Sequence, residues 1–220
     1  MKVLVIAPHP DDEVLGCGGV MARHSAEGDQ LYVLVVTRGI PELFPPEVIE
    51  GTRLELKAAH EILGVKETIF LDFPAPKLDS TPGHEVADAI GKAIRRLEPE
   101  IVYLPHRGDV HSDHRAVYHA TLVACRPVHN RSVKKLLCYE TLSETEWSPP
   151  TGEDAFIPTV FMNIGDYLND KLAAMACYKS QLQAPPNPRS LEALENLAKM
   201  RGSVVGLQAA EAFMLVREID

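Results

Sequence analysis

Residues 1–13, MKVLVIAPHPDDE, decide the fold because an apolar run leads directly into a charged one. Residues 3–7 have the length and apolar character of a strand that is covered on both faces. The residues that follow, 9–13, are polar, and a helical pattern begins immediately after them. This succession of strand, polar turn and helix is typical of the first unit of a parallel α/β sheet.

Further along the chain, short apolar runs alternate with amphipathic stretches. We predict strands at residues 3–7, 31–37, 68–71, 101–104, 136–139 and 160–164. We predict helices at residues 14–27, 47–63, 85–97, 112–125, 166–179 and 191–201. Such alternation favours right-handed βαβ connections. The expected fold class is α/β, with a Rossmann-like, mostly parallel sheet flanked by helices, and residues 1–220 are expected to form a single domain.

Composition and charge narrow the class of function. The 220 residues are 45% hydrophobic and 24% charged, as in ordinary globular proteins, which excludes a disordered or fibrous chain. The 31 acidic residues outnumber the 22 basic ones, so the net charge is -9. The densest basic spots are only pairs, at 95–96 and 134–135. We therefore expect an enzyme or binder of small molecules, without a nucleic-acid partner.

Cysteine spacing and the N-terminal residues indicate the cellular setting. The spacing matches no CxxC motif and predicts reduced, mostly buried thiols at Cys17, Cys125, Cys138 and Cys177. The first apolar run is followed by charged residues and is much shorter than the apolar region of a signal sequence. No segment approaches the ~20 apolar residues of a membrane span. We expect a cytoplasmic protein with no membrane partner.

The first candidate site is the stretch His9-Pro10-Asp11-Asp12-Glu13. Ligands of open α/β sheets bind at the carboxyl ends of the strands, where this stretch would lie. Histidine and carboxylate together suit zinc or a similar divalent ion. Successive side chains leave the backbone in different directions, so one aspartate can hold metal while the other faces a substrate. The alternative is an acidic helix cap beside a solvated histidine.

The second candidate site is His111-Ser112-Asp113-His114, which follows the strand predicted at 101–104. His111 and His114 share one face of the predicted helix, and Asp113 can hydrogen-bond one imidazole and fix its tautomer. The alternative is merely a histidine-rich helix start. If the two stretches meet, His9, Asp12 and His114 supply two histidines and one carboxylate with an open position, the pattern of catalytic zinc.

Five stretches together carry a resemblance to a known family. In chain order they read APHPDDE, VTRG, RLELKAAHEILGV, HSDH and KLAAMACYKSQL. In order and spacing they resemble the LmbE/PIG-L family of zinc-dependent N-deacetylases, over nearly the whole chain. The resemblance implies removal of an acetyl group from an N-acetylated sugar, in particular an N-acetylglucosamine derivative. It also implies a homo-oligomer, usually a trimer or hexamer.

The resemblance further implies a ligand set for the metal. His9, Asp12 and His114 would hold Zn²⁺, with Fe²⁺ as the other divalent ion to consider. An amidase that uses the same metal site on a non-sugar or conjugate amide is the alternative activity.

Catalytic and binding roles follow from the same resemblance. Asp11 would be the general base, and His111, oriented by Asp113, would act as acid and oxyanion stabiliser. Arg53 would contact the substrate, although a solvated helix arginine is an equal alternative. Whether Asp11 or His111 protonates the leaving amine stays open.

A metal-free ligand-binding module of the Rossmann type is the distant alternative. It would need a glycine-rich turn between strand and helix to cradle phosphate. The only candidate, Gly16-Cys17-Gly18-Gly19, falls inside the first predicted helix. We expect these glycines to let the helix approach the sheet closely instead.

Several other residues receive weaker predictions. We expect Glu13 to cap or salt-bridge rather than react, and Tyr178 to pack in the core. His106 and Asp109 follow a strand and stay undecided. The segments 39–51 and 73–79 are expected to border the pocket, and 184–188 to be a surface connection. Solvated or purely structural positions are expected for His24, His60, His84, His119 and His129.

Overall fold

A seven-stranded sheet runs through the centre of the molecule in the order β3-β2-β1-β4-β5-β7-β6. The computed structural model describes residues 1–128 and 130–220. The strands are β1 (Lys2–Ala7), β2 (Gln30–Gly39), β3 (Glu67–Ala75), β4 (Ile101–Pro105), β5 (Lys135–Tyr139), β6 (Val160–Asn163) and β7 (Ala210–Glu218). The helices are α1 (Asp12–Ala26), α2 (Pro46–Leu63), α3 (Gly83–Leu97), α4 (Ser112–Ala124), α5 (Leu168–Cys177) and α6 (Leu191–Val204).

The first five strands are parallel, and the last two extend the sheet in antiparallel pairs. The chain winds outward from β1 through β2 and β3, then returns to pair β4 with the other side of β1. At this reversal the connections from neighbouring strands leave in opposite directions and open a crevice at the carboxyl edge. The crevice lies where both candidate stretches begin.

The hydrophobic core has two layers because alternate side chains of each strand face opposite sides of the sheet. Val3 and Val5 of β1 pack in the layer beneath α1, α2, α5 and α6. Leu4 and Ile6 pack in the layer beneath α3 and α4. Both layers are buried, which explains the uninterrupted apolar run of β1.

The predicted fold class is confirmed, with two local differences. The last strand, β7, was not predicted because its sequence, AEAFMLVRE, begins with good helix formers. Pairing with β5 on one side and β6 on the other overrides that preference. The strand predicted at 68–71 is longer than expected, since β3 spans Glu67–Ala75. No helix among the described residues is both long and apolar enough to cross a membrane.

The glycines of α1 allow this helix to lie directly against the sheet, as predicted. A Cβ atom on Gly16 would collide with the ring of Tyr139, and one on Gly19 would lie 2.7 Å from a methyl carbon of Ile164. The Tyr139 ring cannot easily move, because its hydroxyl donates to the carbonyl of Ile6 over 2.8 Å. The close approach holds the first turn of α1 at the sheet edge.

We expect Gly16→Ala to lower the free energy of unfolding by about 1–3 kcal/mol, the usual cost of overpacking a core. Gly51→Ala is the matched control, because a Cβ there meets nothing within 4 Å in the helix α2. Alanine at that position should be neutral or stabilising by up to about 1 kcal/mol. Chemical denaturation of both variants measures the difference, and equal stabilities would contradict the close packing.

Candidate active site

The two candidate stretches meet at the crevice between β1 and β4. His9 and Asp12 follow β1 directly, and His114 lies in the first turn of α4, which follows β4. Asp12 and His114 are fully buried, whereas the His9 side chain is 21% exposed. Residues more than a hundred positions apart in the sequence are thus joined by the parallel pairing of their strands.

His9, Asp12 and His114 form a compact group of potential metal ligands, with one donor atom from each residue lying within 4.8 Å of the others. The Asp12 carboxylate lies between the rings, with Oδ2 at 3.2 Å from His9 Nδ1 and at 3.2 Å from His114 Nε2. Asp12 Oδ1 is buried without a hydrogen-bond partner, and the buried His114 Nε2 makes no well-directed hydrogen bond despite its 3.2 Å distance to Asp12 Oδ2. Unsatisfied buried polar atoms are rare, so these two fit a site that an ion completes.

Each histidine of this group is supported by its own aspartate. His114 Nδ1 lies 2.8 Å from Asp109 Oδ2, and His9 Nε2 lies 3.1 Å from Asp113 Oδ2. Such carboxylate partners fix the ring orientation and leave the other ring nitrogen free to bind metal. Asp109, which stayed undecided from sequence, is therefore part of the site, and Thr145 anchors its second oxygen at 2.6 Å.

The charges of the neighbouring side chains shift the pKa values of all three potential ligands. Burial lowers the pKa of His9, but hydrogen bonds to Asp113 and Asp12 raise it to about 9. Burial by itself would raise the pKa of Asp12 and lower the pKa of His114. The two side chains outweigh this effect: His114 holds the pKa of Asp12 well below its usual value, and Asp12 raises the pKa of His114 well above its usual value. The group therefore favours positive charge at its centre, which protons or a metal ion provide.

The Asp11 carboxylate contacts Arg189 rather than the histidines, so the two adjacent aspartates have different partners, as predicted. Its Oδ2 accepts a hydrogen bond of 2.7 Å from Arg189, and Asp11 lines the cavity described below. Burial raises the pKa of Asp11 to about 8, although the Arg189 guanidinium lowers it. The arginine itself is anchored by Ser143, whose Oγ accepts from its Nε at 2.7 Å.

The Asp113 carboxylate does not contact His111. That carboxylate bonds His9 and the backbone N–H of Leu78 instead. The backbone N–H of Asp113 donates to His111 Nδ1 at 3.1 Å, so a neutral His111 carries its proton on Nε2. Burial and the neighbouring imidazoles of His9 and His114 lower the pKa of His111 and favour this neutral form.

A cavity of about 250 Å³ opens in front of these residues. His9, Asp11 and His111 line its inner end. The segments 39–51 and 73–79 border it as expected, the first through an apolar wall and the second through Ala75 and Pro76. The apolar wall is formed by Phe44, Val48, Ile49 and Phe70.

Arg53 lies at the outer part of the cavity rather than in open solvent. It forms an ion pair with Asp72, and its guanidinium carbon stacks 4.5 Å from the centre of the Phe70 ring. Its side chain is 22% exposed. The position is compatible with the predicted contact to substrate.

The remaining predictions of individual residues have mixed outcomes. His106 is buried, bonds the carbonyl of Asp154 at 2.9 Å and is not among the residues that line the cavity. His24 and His60 are buried and hydrogen-bonded, to Asp29 and to Glu13 respectively, which agrees with the structural position and not with the solvated one. His129 lies outside the described residues.

Sequence reasoning missed two cavity residues, Arg189 and Glu144. Glu144 follows β5, and its place at the carboxyl edge of a strand was a usable signal. Arg189 follows 184–188, interpreted only as a surface connection, and no local pattern distinguishes it from other exposed arginines. Only the folded chain brings it to Asp11.

Comparison with known proteins agrees with this site. The family model described as "PIG-L: GlcNAc-PI de-N-acetylase" matches residues 4–125. The uncharacterized deacetylase YaiS of Escherichia coli (strain K12) is 34% identical over 184 residues, covering 81% of this chain and 90% of that protein. Diacetylchitobiose deacetylase of Thermococcus kodakarensis is 29% identical over 229 residues, covering 98% of this chain and 83% of that protein.

A solved structure extends the likeness to the fold. The conserved protein TT1542 from Thermus thermophilus superimposes with a TM-score of 0.81 at 30% identity, over 99% of this chain and 96% of that one. The predicted enzyme class, an amide hydrolase of the N-deacetylase type, is confirmed by these findings. With a family model that spans more than half of its length, the chain belongs to the PIG-L family.

Proposed function

We propose that the protein is a zinc-dependent hydrolase that removes the N-acetyl group of an N-acetylglucosamine derivative. The observation that carries the proposal is the pair of unsatisfied buried ligand atoms, Asp12 Oδ1 and His114 Nε2, behind a separate carboxylate that faces the cavity. One aspartate is thereby available for the ion and the other for the reaction.

His9, Asp12 and His114 would hold the ion. Two nitrogens and one oxygen are a donor set that suits Zn²⁺, and Fe²⁺ is the other candidate. When bound at such a site, the ion acts as a Lewis acid that polarises a carbonyl and makes water nucleophilic near neutral pH. Asp109 and Asp113 keep the two imidazoles oriented for this task.

Asp11 is the general base of the proposed reaction. Its carboxylate lies beside the ligand group and accepts the proton of the attacking water while the water oxygen bonds to the amide carbon. Arg189 holds one oxygen of this carboxylate, Oδ2, so that the other stays available at the cavity. Collapse of the tetrahedral intermediate breaks the C–N bond and releases acetate. The amine leaves with a proton from Asp11, which received it from the water, or from His111 in its imidazolium form.

His111 stabilises the negative oxygen that develops on the amide carbonyl. Its Nδ1 is occupied by the Asp113 N–H, so its Nε2–H donates into the cavity that it lines. A donor that is fixed before the reaction begins costs no reorganisation when charge appears. The backbone of Asp113, rather than its carboxylate, performs the orienting role.

The outer cavity suits an amino sugar. Arg53 offers donors for hydroxyl groups, and Phe70 offers a flat apolar surface beside it. Relatives named for acetylated glucosamine compounds include diacetylchitobiose deacetylase. The second candidate, an amidase of a larger conjugate, is favoured by the apolar wall, because Phe44 is 40% exposed at its rim.

Three expectations stay predictions. They are the single domain over residues 1–220, the homo-oligomer of three or six chains, and the cytoplasmic location.

Purified protein should contain about one zinc per chain and release acetate from N-acetylglucosamine or N,N′-diacetylchitobiose. Removal of the ion with a chelator should abolish acetate release, and added Zn²⁺ should restore it, because the water then lacks its activator until the ion returns. Acetate is measured enzymatically, and metal by mass spectrometry. Turnover that survives complete metal removal would contradict the proposal, and restoration by Fe²⁺ alone would change the ion.

Asp11→Asn should retain zinc but lose about 100- to 10,000-fold in kcat, since the base is removed while the ligands stay. His114→Ala is the complementary variant and should lose both zinc and turnover. Metal content and kcat are measured on the same preparations. Loss of zinc from Asp11→Asn with zinc retained in Asp12→Asn would mean that the two aspartates have exchanged roles.

A further inference from the structure

Glu13 is a fully buried carboxylate that the proposed mechanism does not use. Its Oε2 accepts the backbone N–H of Asp11 at 3.1 Å. Its Oε1 accepts the hydroxyl of Tyr178 at 2.5 Å and lies 3.2 Å from His60 Nε2. A buried carboxylate with three partners is costly to maintain unless its hydrogen bonds are complete, as they are here.

The residue that Glu13 contacts through the backbone has an unusual conformation. Asp11 has a φ of 107° and a ψ of -29°, in a region that residues with a Cβ atom seldom adopt. Such a conformation persists only where the surroundings hold it. The N–H of Asp11 is held by Glu13, and its carbonyl accepts from Val14 and Leu15 at the start of α1.

This conformation separates the two adjacent aspartates. Asp12 turns into the sheet edge, where its Oδ2 lies between His9 and His114. Asp11 turns toward the cavity and Arg189. A relaxed backbone at Asp11 would change the direction of its side chain, so the proposed base depends on whatever fixes that peptide.

Three elements fix Glu13 in turn. Tyr178 directly follows α5, His60 lies in the last turn of α2, and Thr68 is the second residue of β3. The Thr68 hydroxyl is 2.7 Å from His60 Nδ1, and the assignment that satisfies both ring nitrogens has Thr68 donating to Nδ1 and Nε2–H donating to Glu13. The carboxylate thus cannot rotate without losing bonds to two different helices.

We propose that Glu13, held by Tyr178 and His60, is a positioning residue that fixes the strained peptide of Asp11 and thereby aims the general base. The inference rests on the proposed role of Asp11 as base. It gives Tyr178, which was expected only to pack, a task in catalysis without any contact to substrate. It also links α2, through His60, and α5, through Tyr178, to the reacting carboxylate.

The most direct variant is Tyr178→Phe, which removes one hydroxyl and keeps the ring. We expect kcat to fall about 10- to 100-fold, with KM and zinc content unchanged, because the ligands and the cavity stay intact while the base is less firmly placed. Tyr103→Phe is the matched control. Tyr103 is equally buried, its hydroxyl bonds His24 at 3.0 Å, and neither residue is among those that line the cavity.

Stability separates positioning from a merely structural role. Each variant loses the hydrogen bonds of one buried hydroxyl, which Tyr178 makes to Glu13 and Tyr103 makes to His24 and the Met162 sulfur. Thermal unfolding should therefore show a loss of stability for both variants, whereas only Tyr178→Phe should lose kcat. If Tyr178→Phe fails to fold, Glu13→Gln serves instead. The amide oxygen of glutamine still accepts the Asp11 N–H, so this variant should retain more kcat than Glu13→Ala, which has no acceptor.

The outcomes distinguish this inference from the proposed function. Equal kcat values for Tyr178→Phe and Tyr103→Phe, beside an inactive Asp11→Asn, would overturn the positioning role and leave the base in place. Full turnover by Asp11→Asn would overturn the base assignment and, with it, the positioning role. A selective loss of kcat in Tyr178→Phe, with zinc retained, supports the inference.

Discussion

The carboxylate of Asp12 lies fully buried between two imidazoles, and the rest of the site depends on that interaction. A buried carboxylate is stable only when positive charge or hydrogen bonds compensate for its lost hydration. His9 and His114 provide that compensation, and each requires its own aspartate to orient it. The buried charge of Asp12 thus requires the two histidines, and the histidines in turn require Asp113 and Asp109.

The sheet supplies the geometry that this balance requires. Parallel pairing of β1 with β4 brings the loops after both strands to one edge, at the point where the strand order reverses. Close packing of α1, which Gly16 permits, brings the first turn of that helix to the same edge. The ligand group therefore depends mainly on the sheet and on the starts of two helices, whereas the apolar wall of the cavity depends on Phe44 before α2, on the first turn of α2 and on Phe70 of β3.

Local patterns predicted much of this structure, and contacts between distant residues account for the remainder. The apolar run of β1 and the polar stretch after it were sufficient to place His9, Asp11 and Asp12 at the sheet edge. The imidazole that the Asp113 carboxylate contacts could not be predicted, because two imidazoles lie within its reach and only the folded chain shows that it faces His9. Arg189 has no local signal, since its importance arises from a contact across 178 residues.

For Glu13, the sequence predicted the contacts with nearby residues but not the contact with a distant one. Its place after two aspartates predicted a cap or a salt bridge, and it does bond the Asp11 N–H and His60. The sequence contained no sign that Tyr178 would complete this arrangement from the far end of α5. Short-range chemistry was therefore predictable at this position, whereas the reason for its burial was not.

The central claim, that His9, Asp12 and His114 hold the catalytic ion, is tested most directly by anomalous diffraction at the zinc edge from crystals of the zinc-loaded protein. The account predicts one strong anomalous peak within about 2.0–2.2 Å of a nitrogen of each histidine and an oxygen of Asp12. A peak at another group of potential ligands, such as His24, Glu27 and Asp29, with none at Asp12, would contradict it.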